Sequence, residues 1–475
     1  MTETWTSALV LGLGRSGMAA AELLLDEGVR VTALDETRSD AVAERVRVLR
    51  RRGARALTGP RAWTRARQGA HAFDACVVSP GFASDHPWLR AVAAQGVRVV
   101  SELELGARRC AWPMIAVTGS NGKSTAVKLC AEALALAGRR TVVAGNYGMP
   151  LCEAVCRGGR WDLALVEVSS FQLEHVDRFR PKIGVLLNMQ PNHLDRHGTM
   201  DTYVELKEGL FSRMGRGDTA IVPEREREEI RGRVCRRNAN AAGIRWVGFG
   251  TGRSAACRIG RDGAIRVGGR RVALNGTVFG NPVLAETAAA VAAILDALGA
   301  DARMAGAAAR RFVTLPHRFE TARALGGVRF VNDSKATSLS AMRGAIRRVD
   351  GPVRLIAGGR LKETDVDFVK ETLACHVKKV YGIGENGKSL TSRWRSAVPC
   401  RYCRDLDRAV AWAWREARPG ETVLFSPGCA SFDQFANYAE RGRAFVAAVE
   451  RLARKAARPA GEINGHEAEK FHVKA

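Results

Sequence analysis

The chain has 475 residues, enough for two to four domains, and its 46% apolar content is ordinary for a globular protein. No apolar run reaches roughly 18 residues, so no membrane span is predicted, and the acidic N-terminal segment is unlike a secretory signal, which favours a cytoplasmic protein. The net charge of +25 comes from arginines spread along most of the chain. Without a helix-turn-helix or zinc finger beside them, they favour a basic surface over a nucleic-acid partner.

Short apolar strands alternate with helical stretches through residues 1–106, a pattern typical of a parallel sheet covered by helices. The first strand leads into GLGRSG, in which Gly12, Gly14 and Gly17 have the G-x-G-x-x-G spacing. Asp35 lies about 20 residues after this turn, at the end of the second strand, VRVTALD. Such a turn lets a diphosphate approach the N-terminus of the next helix. The segment therefore predicts a Rossmann-like domain, and taken alone it also fits a nicotinamide cofactor.

A second glycine-rich turn opens residues 107–313, directly after the strand WPMIAVTG. The segment TGSNGKST departs from the usual G-x-x-x-x-G-K-[ST] pattern, because Val117 occupies the first glycine position. The strand before it and the helical pattern after it still predict a phosphate-binding loop for ATP. In such a loop Lys123 reaches the β and γ phosphates and Ser124 binds Mg²⁺. The residues expected to contact ATP are Gly119, Ser120, Asn121, Gly122, Lys123, Ser124 and Thr125.

Polar residues follow two further strands of this region. Glu167 lies near the end of DLALVEV, where burying a carboxylate is costly unless it is paired or bound to a metal. The next strand, IGVLLN, leads to His193, Asp195 and His197. The carboxyl ends of parallel strands meet at one edge of a sheet, so these residues are expected beside the phosphate-binding loop. For Glu167, a paired or metal-bound carboxylate is favoured over an exposed strand end. A histidine of this segment is favoured as a metal ligand over a purely structural role.

A third α/β block covers residues 314–455, in which VRFVND, PVRLIAGG, KKVYGIG and ETVLFSPG alternate with helical stretches. Residues 456–475 lack periodicity and are expected to form a flexible tail. The predicted fold class is therefore α/β in three domains. They are an N-terminal Rossmann-like domain, a central P-loop ATPase domain and a C-terminal Rossmann-like domain.

Seven segments occur in an order that identifies a family: GSNGKST, VEVSSFQLE, NHLDRHGTMDTYVELKEGLF, LPHRFE, VNDSKAT, LIAGG and SPGCASFDQF. Over nearly the whole chain they closely resemble the Mur ligases, in particular the members that add glutamate to UDP-N-acetylmuramoyl-L-alanine during peptidoglycan precursor synthesis. The resemblance implies a cytoplasmic, monomeric enzyme that uses ATP and an acyl phosphate to form a C–N bond. It favours D-glutamate as the commoner substrate of the family. L-glutamate, or another acceptor used by Mur ligases, stays the alternative.

The resemblance changes the interpretation of the first glycine-rich turn. In Mur ligases the N-terminal domain binds the UDP part of the substrate, and not NAD. The positions implied near uracil and ribose are Arg15, Ser16, Asp35 and Thr37, and those implied near the diphosphate and muramoyl group are Gly81 and Asn146.

The resemblance also implies catalytic roles for Lys123, Glu167, His193 and Lys207, with two Mg²⁺ ions. Ser124 and Glu167 match the ligands of one ion, and His193 matches a ligand of the second. Lys207 matches a lysine that is carbamylated in relatives, which turns a cation into an anion able to orient Mg²⁺. From the residues alone, Lys207 is expected to be an ordinary surface lysine.

In the C-terminal domain the resemblance implies that Arg318 and Asp333 contact the phosphates and ribose of ATP. The implied glutamate pocket consists of Lys335, Thr337, Lys362, Ser431 and Tyr438. Because these residues belong to a different domain from the phosphate-binding loop, closure of the C-terminal domain during catalysis is expected.

Two segments depart from the family pattern. The stretch GNPVLAE replaces G-x-H-N-x-x-N, so Val283 and Glu286 occupy the two asparagine positions. The usual adenine contact is then in doubt, and Asn281 is a candidate substitute. The loop GGRLKETDVDF differs from the commoner GGDGK form, which leaves the enantiomer of glutamate open.

Overall fold

The computed structural model describes residues 4–67, 73–363 and 365–457. The chain divides into two compact units, with the division after Phe312. The first unit contains two β-sheets and the second unit contains one.

The N-terminal sheet of the first unit is parallel throughout. Its strands are β1 (Ser7–Leu11), β2 (Arg30–Asp35), β3 (Arg55–Thr58), β4 (Ala75–Val78) and β5 (Arg98–Ser101). Its helices are α1 (Arg15–Asp26), α2 (Asp40–Arg51), α3 (Ala62–Arg67), α4 (Pro87–Ala93) and α5 (Glu102–Arg109). The strand order is β3-β2-β1-β4-β5. Every residue of β1 is buried, as expected for the apolar central strand of a parallel sheet.

The central sheet of the first unit has nine strands: β6 (Met114–Thr118), β7 (Thr141–Gly145), β8 (Leu163–Glu167), β9 (Ile183–Leu186), β10 (Thr219–Pro223), β11 (Arg245–Gly250), β12 (Cys257–Ile259), β13 (Ile265–Val267) and β14 (Arg270–Val272). Their order is β14-β13-β12-β11-β10-β9-β6-β8-β7. The sheet is parallel from β7 to β12, and β13 and β14 continue it as antiparallel strands.

The helices of this region are α6 (Lys123–Leu136), α7 (Leu151–Arg157), α8 (Ser170–Leu173), α9 (Leu194–His197), α10 (Met200–Glu208), α11 (Arg227–Arg237), α12 (Pro282–Ala297) and α13 (Arg303–Arg311). Short 3₁₀ helices occupy Gly209–Phe211, Glu224–Glu226, Ala239–Gly243 and Val278–Gly280. The alanine-rich α12 is buried over most of its length and packs against α6, α13 and the strands β11 to β13. Its small side chains allow this close approach on several sides.

Strand order places the carboxyl ends of three central strands next to one another. β6 lies between β8 and β9, with Val117 opposite Glu167 and Thr118 opposite Leu186. The second glycine-rich turn follows β6, Glu167 ends β8, and the segment after β9 leads to His193. Ligands of open α/β sheets bind at this edge, so the topology brings the predicted site residues of this region together.

The second unit contains one six-stranded sheet with the order β15-β16-β20-β17-β18-β19. Its strands are β15 (Glu320–Leu325), β16 (Val328–Asn332), β17 (Val353–Gly358), β18 (Val377–Ile383), β19 (Cys400–Arg404) and β20 (Thr422–Phe425). Its helices are α14 (Leu339–Ile346), α15 (Lys370–His376), α16 (Gly387–Trp394), α17 (Leu406–Glu416) and α18 (Tyr438–Ala457). Only the edge strand β15 pairs in the antiparallel direction.

The predicted α/β class is confirmed, with one mainly parallel sheet for each of the three predicted domains. The boundaries chosen between those domains stay predictions. The first two residues of the predicted tail, 456 and 457, belong to α18, and residues 458–475 lie outside the described residues. Within the described residues, no helix is both long and apolar enough to cross a membrane.

Candidate active site

The second glycine-rich turn connects β6 to the N-terminus of α6. Gly122 precedes the helix with a φ of 82°, in the left-handed region that glycine adopts without strain. Gly119 has a φ of 151°, and a Cβ atom at this position would lie 3.0 Å from the Cβ atom of Leu187. Glycine is therefore required at both positions. The first N–H groups of a helix have no intrahelical partner, so this turn suits a phosphate group.

Hydrogen bonds hold this turn to the segment that follows β9. The backbone N–H of Asn121 donates to Oδ1 of Asn188 at 2.9 Å, and its side-chain amide donates to Oε1 of Gln190 at 3.1 Å. The Ser120 hydroxyl accepts from the Tyr203 hydroxyl at 3.0 Å and donates to the Gln190 carbonyl at 2.8 Å. The side chains of Ser120 and Asn121 thus stabilise the turn, and their predicted contact with ATP stays a prediction.

Lys123 lies in the first turn of α6. Its ammonium donates to the carbonyl of Gly119 at 2.6 Å and to that of Ser120 at 3.1 Å. The side chain therefore folds back over the glycine-rich turn, which keeps its charge where a phosphate would bind. Ser124 is buried and Thr125 is half-buried at the start of the same helix.

Glu167 is only 1% exposed at the end of β8, and hydrogen bonds satisfy both of its carboxylate oxygens. The Ser124 hydroxyl donates to Oε2 at 2.6 Å, and the Asn146 side-chain amide donates to Oε1 at 2.5 Å. Hydroxyl and carboxylate oxygens are the hard ligands that Mg²⁺ prefers. The Ser124–Glu167 pair therefore fits a divalent cation beside the glycine-rich turn.

Lys207 on α10 is 1% exposed, so the expectation of an ordinary surface lysine, drawn from the residues alone, is wrong. Its amine donates to the Gly119 carbonyl at 3.0 Å and to the Thr118 hydroxyl at 3.4 Å. Burial lowers the pKa of Lys207 well below its usual value, Lys123 lowers it further, and Glu167 acts in the opposite direction. A lowered pKa favours the neutral amine, which is the nucleophilic form that reacts with CO₂.

The two histidines that follow β9 have different surroundings. His193 precedes α9 with a φ of 57°, and its ring packs edge-on against Phe171 at 4.8 Å between centroids. His197 is buried, with Nε2 3.0 Å from the Ser170 hydroxyl and Nδ1 3.5 Å from a Glu174 oxygen. Burial lowers the pKa of His197. Asp195 is exposed. His197 thus has a structural environment, and His193 stays the metal-ligand candidate.

Few side chains at this site could serve as ligands of a metal ion. In the part of the chain that the structure describes, no three His, Cys, Asp or Glu side chains converge on a metal site. Ser124, Glu167, His193 and a modified Lys207 would leave most coordination positions to water and phosphate oxygens. Mg²⁺ is commonly bound with few protein ligands, so these residues fit Mg²⁺ and do not fit a dedicated transition-metal centre.

The first glycine-rich turn is held by Asp35 at the end of β2. One Asp35 oxygen accepts the N–H of Leu13 at 2.7 Å, and the other accepts the N–H of Thr37 at 2.7 Å. Gly17 packs so closely that a Cβ atom there would lie 1.7 Å from the Gly12 carbonyl oxygen. Asp35 therefore shapes the turn, which sequence reasoning did not predict. Its contact with uracil or ribose stays a prediction.

Asn146, predicted to lie near the diphosphate and muramoyl group, follows β7 of the central sheet, and the other predicted residues follow strands of the N-terminal sheet. Arg15 and Thr37 are exposed, and Ser16 is half-buried. Arg15 also donates to the Gly148 carbonyl at 3.2 Å, close to Asn146 in the chain. Gly81 is exposed in the loop after β4 and has open space where a Cβ atom would project.

We expect Asp35→Asn to weaken binding of a uridine diphosphate nucleotide by about tenfold, because an amide offers one acceptor oxygen for two backbone N–H groups and leaves one N–H unpaired. Titration calorimetry with UDP and with ADP measures the effect, and ADP affinity should be unchanged. Asp40→Asn, which removes a charge from an exposed position of α2, is the matched control. Equal affinities of Asp35→Asn and the wild type for UDP would contradict the expectation.

In the second unit, Asp333 follows β16 and is buried. Its oxygens accept the Phe319 N–H at 3.0 Å and the Ser426 hydroxyl at 2.7 Å. Burial raises the pKa of Asp333 to about 6, although the Ser426 hydrogen bond and the nearby Arg348 and Arg318 act in the opposite direction. Arg318 is half-buried and belongs to the same segment as Phe319, so Asp333 and Arg318 lie near each other.

The structure also brings together two residues of the predicted glutamate pocket. The Lys335 ammonium lies 3.7 Å from the centre of the Tyr438 ring, within the range of a cation–π interaction. Thr337 and Lys362 are half-buried, and Ser431 is buried. Contact of all five residues with glutamate stays a prediction.

Sequence reasoning missed two buried charged residues near the GGRLK segment. Arg441 donates to the Ser334 carbonyl at 2.9 Å and to the Cys429 carbonyl at 3.0 Å, and burial lowers its pKa to about 10. Glu363 accepts the Leu339 N–H at 2.9 Å, and burial raises its pKa. The available signal was the Glu that follows Lys362 directly, in a loop that sequence analysis compared only with the GGDGK form.

The atypical GNPVLAE segment begins α12. Asn281 caps this helix, because its side-chain oxygen accepts the N–H of Val283 at 3.0 Å. Val283 is exposed, and Glu286 forms an ion pair with Arg225 at 3.4 Å. Thr287, one position further, has its hydroxyl 3.4 Å from where a Cβ atom at Gly122 would lie. The start of α12 is therefore beside the glycine-rich turn, and a contact of Asn281 with adenine stays a hypothesis.

Three family models match the chain in the order of its three sheets. They describe the Mur ligase MurD-like N-terminal domain at residues 6–101, the Mur ligase middle domain at 117–293, and the Mur ligase glutamate ligase domain at 317–429. A Nitratidesulfovibrio vulgaris protein named UDP-N-acetylmuramoylalanine--D-glutamate ligase is 37% identical over 458 residues, which cover 94% of this chain and 96% of that protein. The chain belongs to the Mur ligase family.

Further relatives of this Mur ligase agree with that assignment. A Myxococcus xanthus protein with the same name is 37% identical over 456 residues, covering 94% of this chain and 98% of that protein. MurC from Thermotoga maritima superposes with a TM-score of 0.57 at 17% identity, covering 95% and 100% of the two chains. MurF from Thermotoga maritima, solved with ADP, gives 0.58 at 16%, covering 90% and 96%. The solved structures show a shared fold, and the predicted family is confirmed.

Proposed function

We propose that this Mur ligase catalyses the ATP-dependent addition of D-glutamate to UDP-N-acetylmuramoyl-L-alanine, as a cytoplasmic, monomeric enzyme of peptidoglycan precursor synthesis with no nucleic-acid partner. Relatives at 34 to 37% identity carry the name of that activity. The observation that carries the proposal is the cluster of Lys123, Ser124, Glu167 and Lys207 around one glycine-rich turn. It would combine a phosphate-binding turn with two oxygen ligands suited to a divalent cation.

The glycine-rich turn would bind the triphosphate of ATP. The backbone N–H groups of residues 119–125 and the start of α6 supply positive potential, and Lys123 adds a full charge. From the second unit, Arg318 and Asp333 would contact the phosphates and ribose. The geometry of the turn supports the role of residues 119–125, and the roles of Arg318 and Asp333 rest on the resemblance.

Ser124 and Glu167 would hold one Mg²⁺, and His193 would hold a second. When bound, Mg²⁺ neutralises negative charge on the phosphoryl oxygens. Once carbamylated, Lys207 would present an anion to the same region, and its hydrogen bond to the Gly119 carbonyl supports this proposal. Its lowered pKa supports this proposal, because carbamylation consumes the neutral amine.

The reaction needs activation because a carboxylate is a poor electrophile. An oxygen of the alanyl carboxylate attacks the γ-phosphorus of ATP, and the bond from that phosphorus to ADP breaks. The amine nitrogen of glutamate then attacks the acyl carbon, the C–N bond forms, and phosphate leaves with the C–O bonding electrons while the amine loses a proton. The protein contributes mainly positioning and charge neutralisation.

Two sets of residues would position the remaining substrates. The UDP part would be bound by Arg15, Ser16, Asp35, Thr37, Gly81 and Asn146. Glutamate would be bound by Lys335, Thr337, Lys362, Ser431 and Tyr438. The cations in the second set suit the two carboxylates of glutamate.

We expect phosphate release from ATP and UDP-N-acetylmuramoyl-L-alanine to depend on D-glutamate. The assay compares D-glutamate, L-glutamate and no amino acid, with Mg²⁺ and bicarbonate present, and mass spectrometry identifies the product. Release with L-glutamate alone would move the proposal to the other enantiomer. Equal release without any amino acid would contradict the ligase function.

A further inference from the structure

Arg196 on α9 reaches from the central sheet to the N-terminal sheet of the same unit. Its Nη1 donates to the Pro80 carbonyl at 2.7 Å, and its Nη2 donates to the Phe82 carbonyl at 2.5 Å. These two carbonyls flank Gly81 in the loop after β4. One guanidinium thus fixes both sides of a loop that belongs to the other sheet.

The same loop contacts the first glycine-rich turn. The Ser79 hydroxyl donates to the Gly12 carbonyl at 2.9 Å, and a Cβ atom at Gly12 would lie 3.1 Å from the Phe82 ring. A displacement of the loop would therefore reach the turn that is proposed to bind the diphosphate. Arg196 is thus connected to this turn through the loop after β4.

Arg196 also contacts Phe171, a residue that packs against His193. Its guanidinium lies 4.5 Å from the centre of the Phe171 ring, and that ring packs edge-on against His193 at 4.8 Å. Nη2 also donates to Oε2 of Glu174 at 2.7 Å. The same Glu174 oxygen accepts a hydrogen bond from the Ser84 hydroxyl at 2.9 Å. Glu174 therefore contacts both Arg196 on α9 and the segment that follows β4.

We infer that Arg196, held by Glu174, is a positioning residue. It fixes the loop after β4, which contains Gly81 and is proposed to bind the UDP substrate, relative to His193. The inference rests on the proposed function, in which the substrate extends from the first glycine-rich turn to the metal ligands near His193. Only a planar guanidinium supplies several donors in fixed directions, and a lysine ammonium cannot make the same set of bonds at once. Arg196 does not need to touch the substrate.

The test uses Arg196→Lys in the full chain. We expect its affinity for UDP-N-acetylmuramoyl-L-alanine, measured by calorimetry without ATP or Mg²⁺, to fall about tenfold, whereas ADP affinity should stay within about twofold. In the ligase assay the KM for the UDP substrate should rise by a similar factor and the KM for ATP should not. Arg213→Lys is the matched control, because Arg213 forms two hydrogen bonds to Asp177 on the surface of the same unit.

Glu174→Gln serves as a second variant, because it keeps the shape of the side chain and removes the charge that holds Arg196. It should shift UDP-substrate affinity in the same direction by a smaller factor. Unchanged UDP-substrate affinity in Arg196→Lys, or an equal loss of UDP-substrate and ADP affinity, would overturn the inference. If the wild type binds the UDP substrate and releases no glutamate-dependent phosphate, the proposed function fails, and the binding comparison still decides the role of Arg196.

Discussion

Replacing Lys207 with methionine should reduce the rate of glutamate-dependent phosphate release by roughly a thousandfold, in the range expected when a preorganised electrostatic group is removed from a reaction centre. Methionine occupies a similar volume and cannot be carbamylated. The Gly119 carbonyl would keep its hydrogen bond from Lys123, so the glycine-rich turn should not open. The loss should therefore appear in kcat.

The same variant should not be destabilised near neutral pH. Because the pKa of Lys207 is lowered in the folded chain, the unfolded chain binds one more proton between that lowered value and 10.5. Over this window the wild type gains stability as pH rises, by at most about 1.4 kcal/mol per pH unit. Methionine does not titrate. Relative to the wild type, Lys207→Met should thus be most stable near neutral pH and should lose that advantage as pH approaches 10.5.

Phosphate release measures the first effect, and thermal unfolding in bicarbonate-free buffer at several pH values measures the second. Lys128→Met is the matched control, because Lys128 lies on α6, forms an ion pair with Glu132 and sits 4.4 Å from the Phe312 ring. The control should retain activity. Activity of Lys207→Met within tenfold of the wild type, or a stability difference that grows with pH, would contradict the assignment of Lys207.

Glu167→Gln should lower the rate of phosphate release by about a hundredfold or more and raise the Mg²⁺ concentration needed for half-maximal activity. The amide keeps the size of the side chain and removes the negative charge. It also presents an N–H group to one of two donors, the Ser124 hydroxyl or the Asn146 amide, which now both donate to Glu167. Charge and hydrogen-bond pattern are therefore lost together.

Binding of ADP, measured with and without Mg²⁺, separates the metal from the nucleotide. The wild type should gain ADP affinity from Mg²⁺, and Glu167→Gln should gain little. Glu153→Gln, at an exposed ion pair with Arg157 on α7, controls for loss of a carboxylate in the same unit. An unchanged Mg²⁺ dependence in Glu167→Gln would remove this residue from the metal site.

The strands that could be predicted are those with a continuous apolar run. β1, β6 and β8 are buried at every position, so their sequences show strands without alternation. The short strands β12 to β14 could not be predicted, because three residues with exposed arginines give no period to detect.

Within the site, strand ends were predictable and hydrogen-bond partners were not. Parallel strands deliver Glu167 and the glycine-rich turn to one edge, which strand order alone requires. The burial of Lys207 depends on how α10 packs. Tyr203 and Lys207 are four residues apart, so they lie on one helix face, and this spacing was the available signal. The contact of Arg196 with the loop after β4 could not be found this way, because Pro80 and Phe82 lie more than a hundred positions earlier in the chain.

The packing of α12 has a consequence for how sequences of this kind can diverge. Most of its buried side chains are alanines. The helix packs directly against α6, which begins immediately after the phosphate-binding turn. An added methyl or methylene group on the buried face of α12 would push α6 away from the sheet. Substitutions there should thus be as rare among functional descendants as substitutions in the turn itself, although α12 contributes no reacting group.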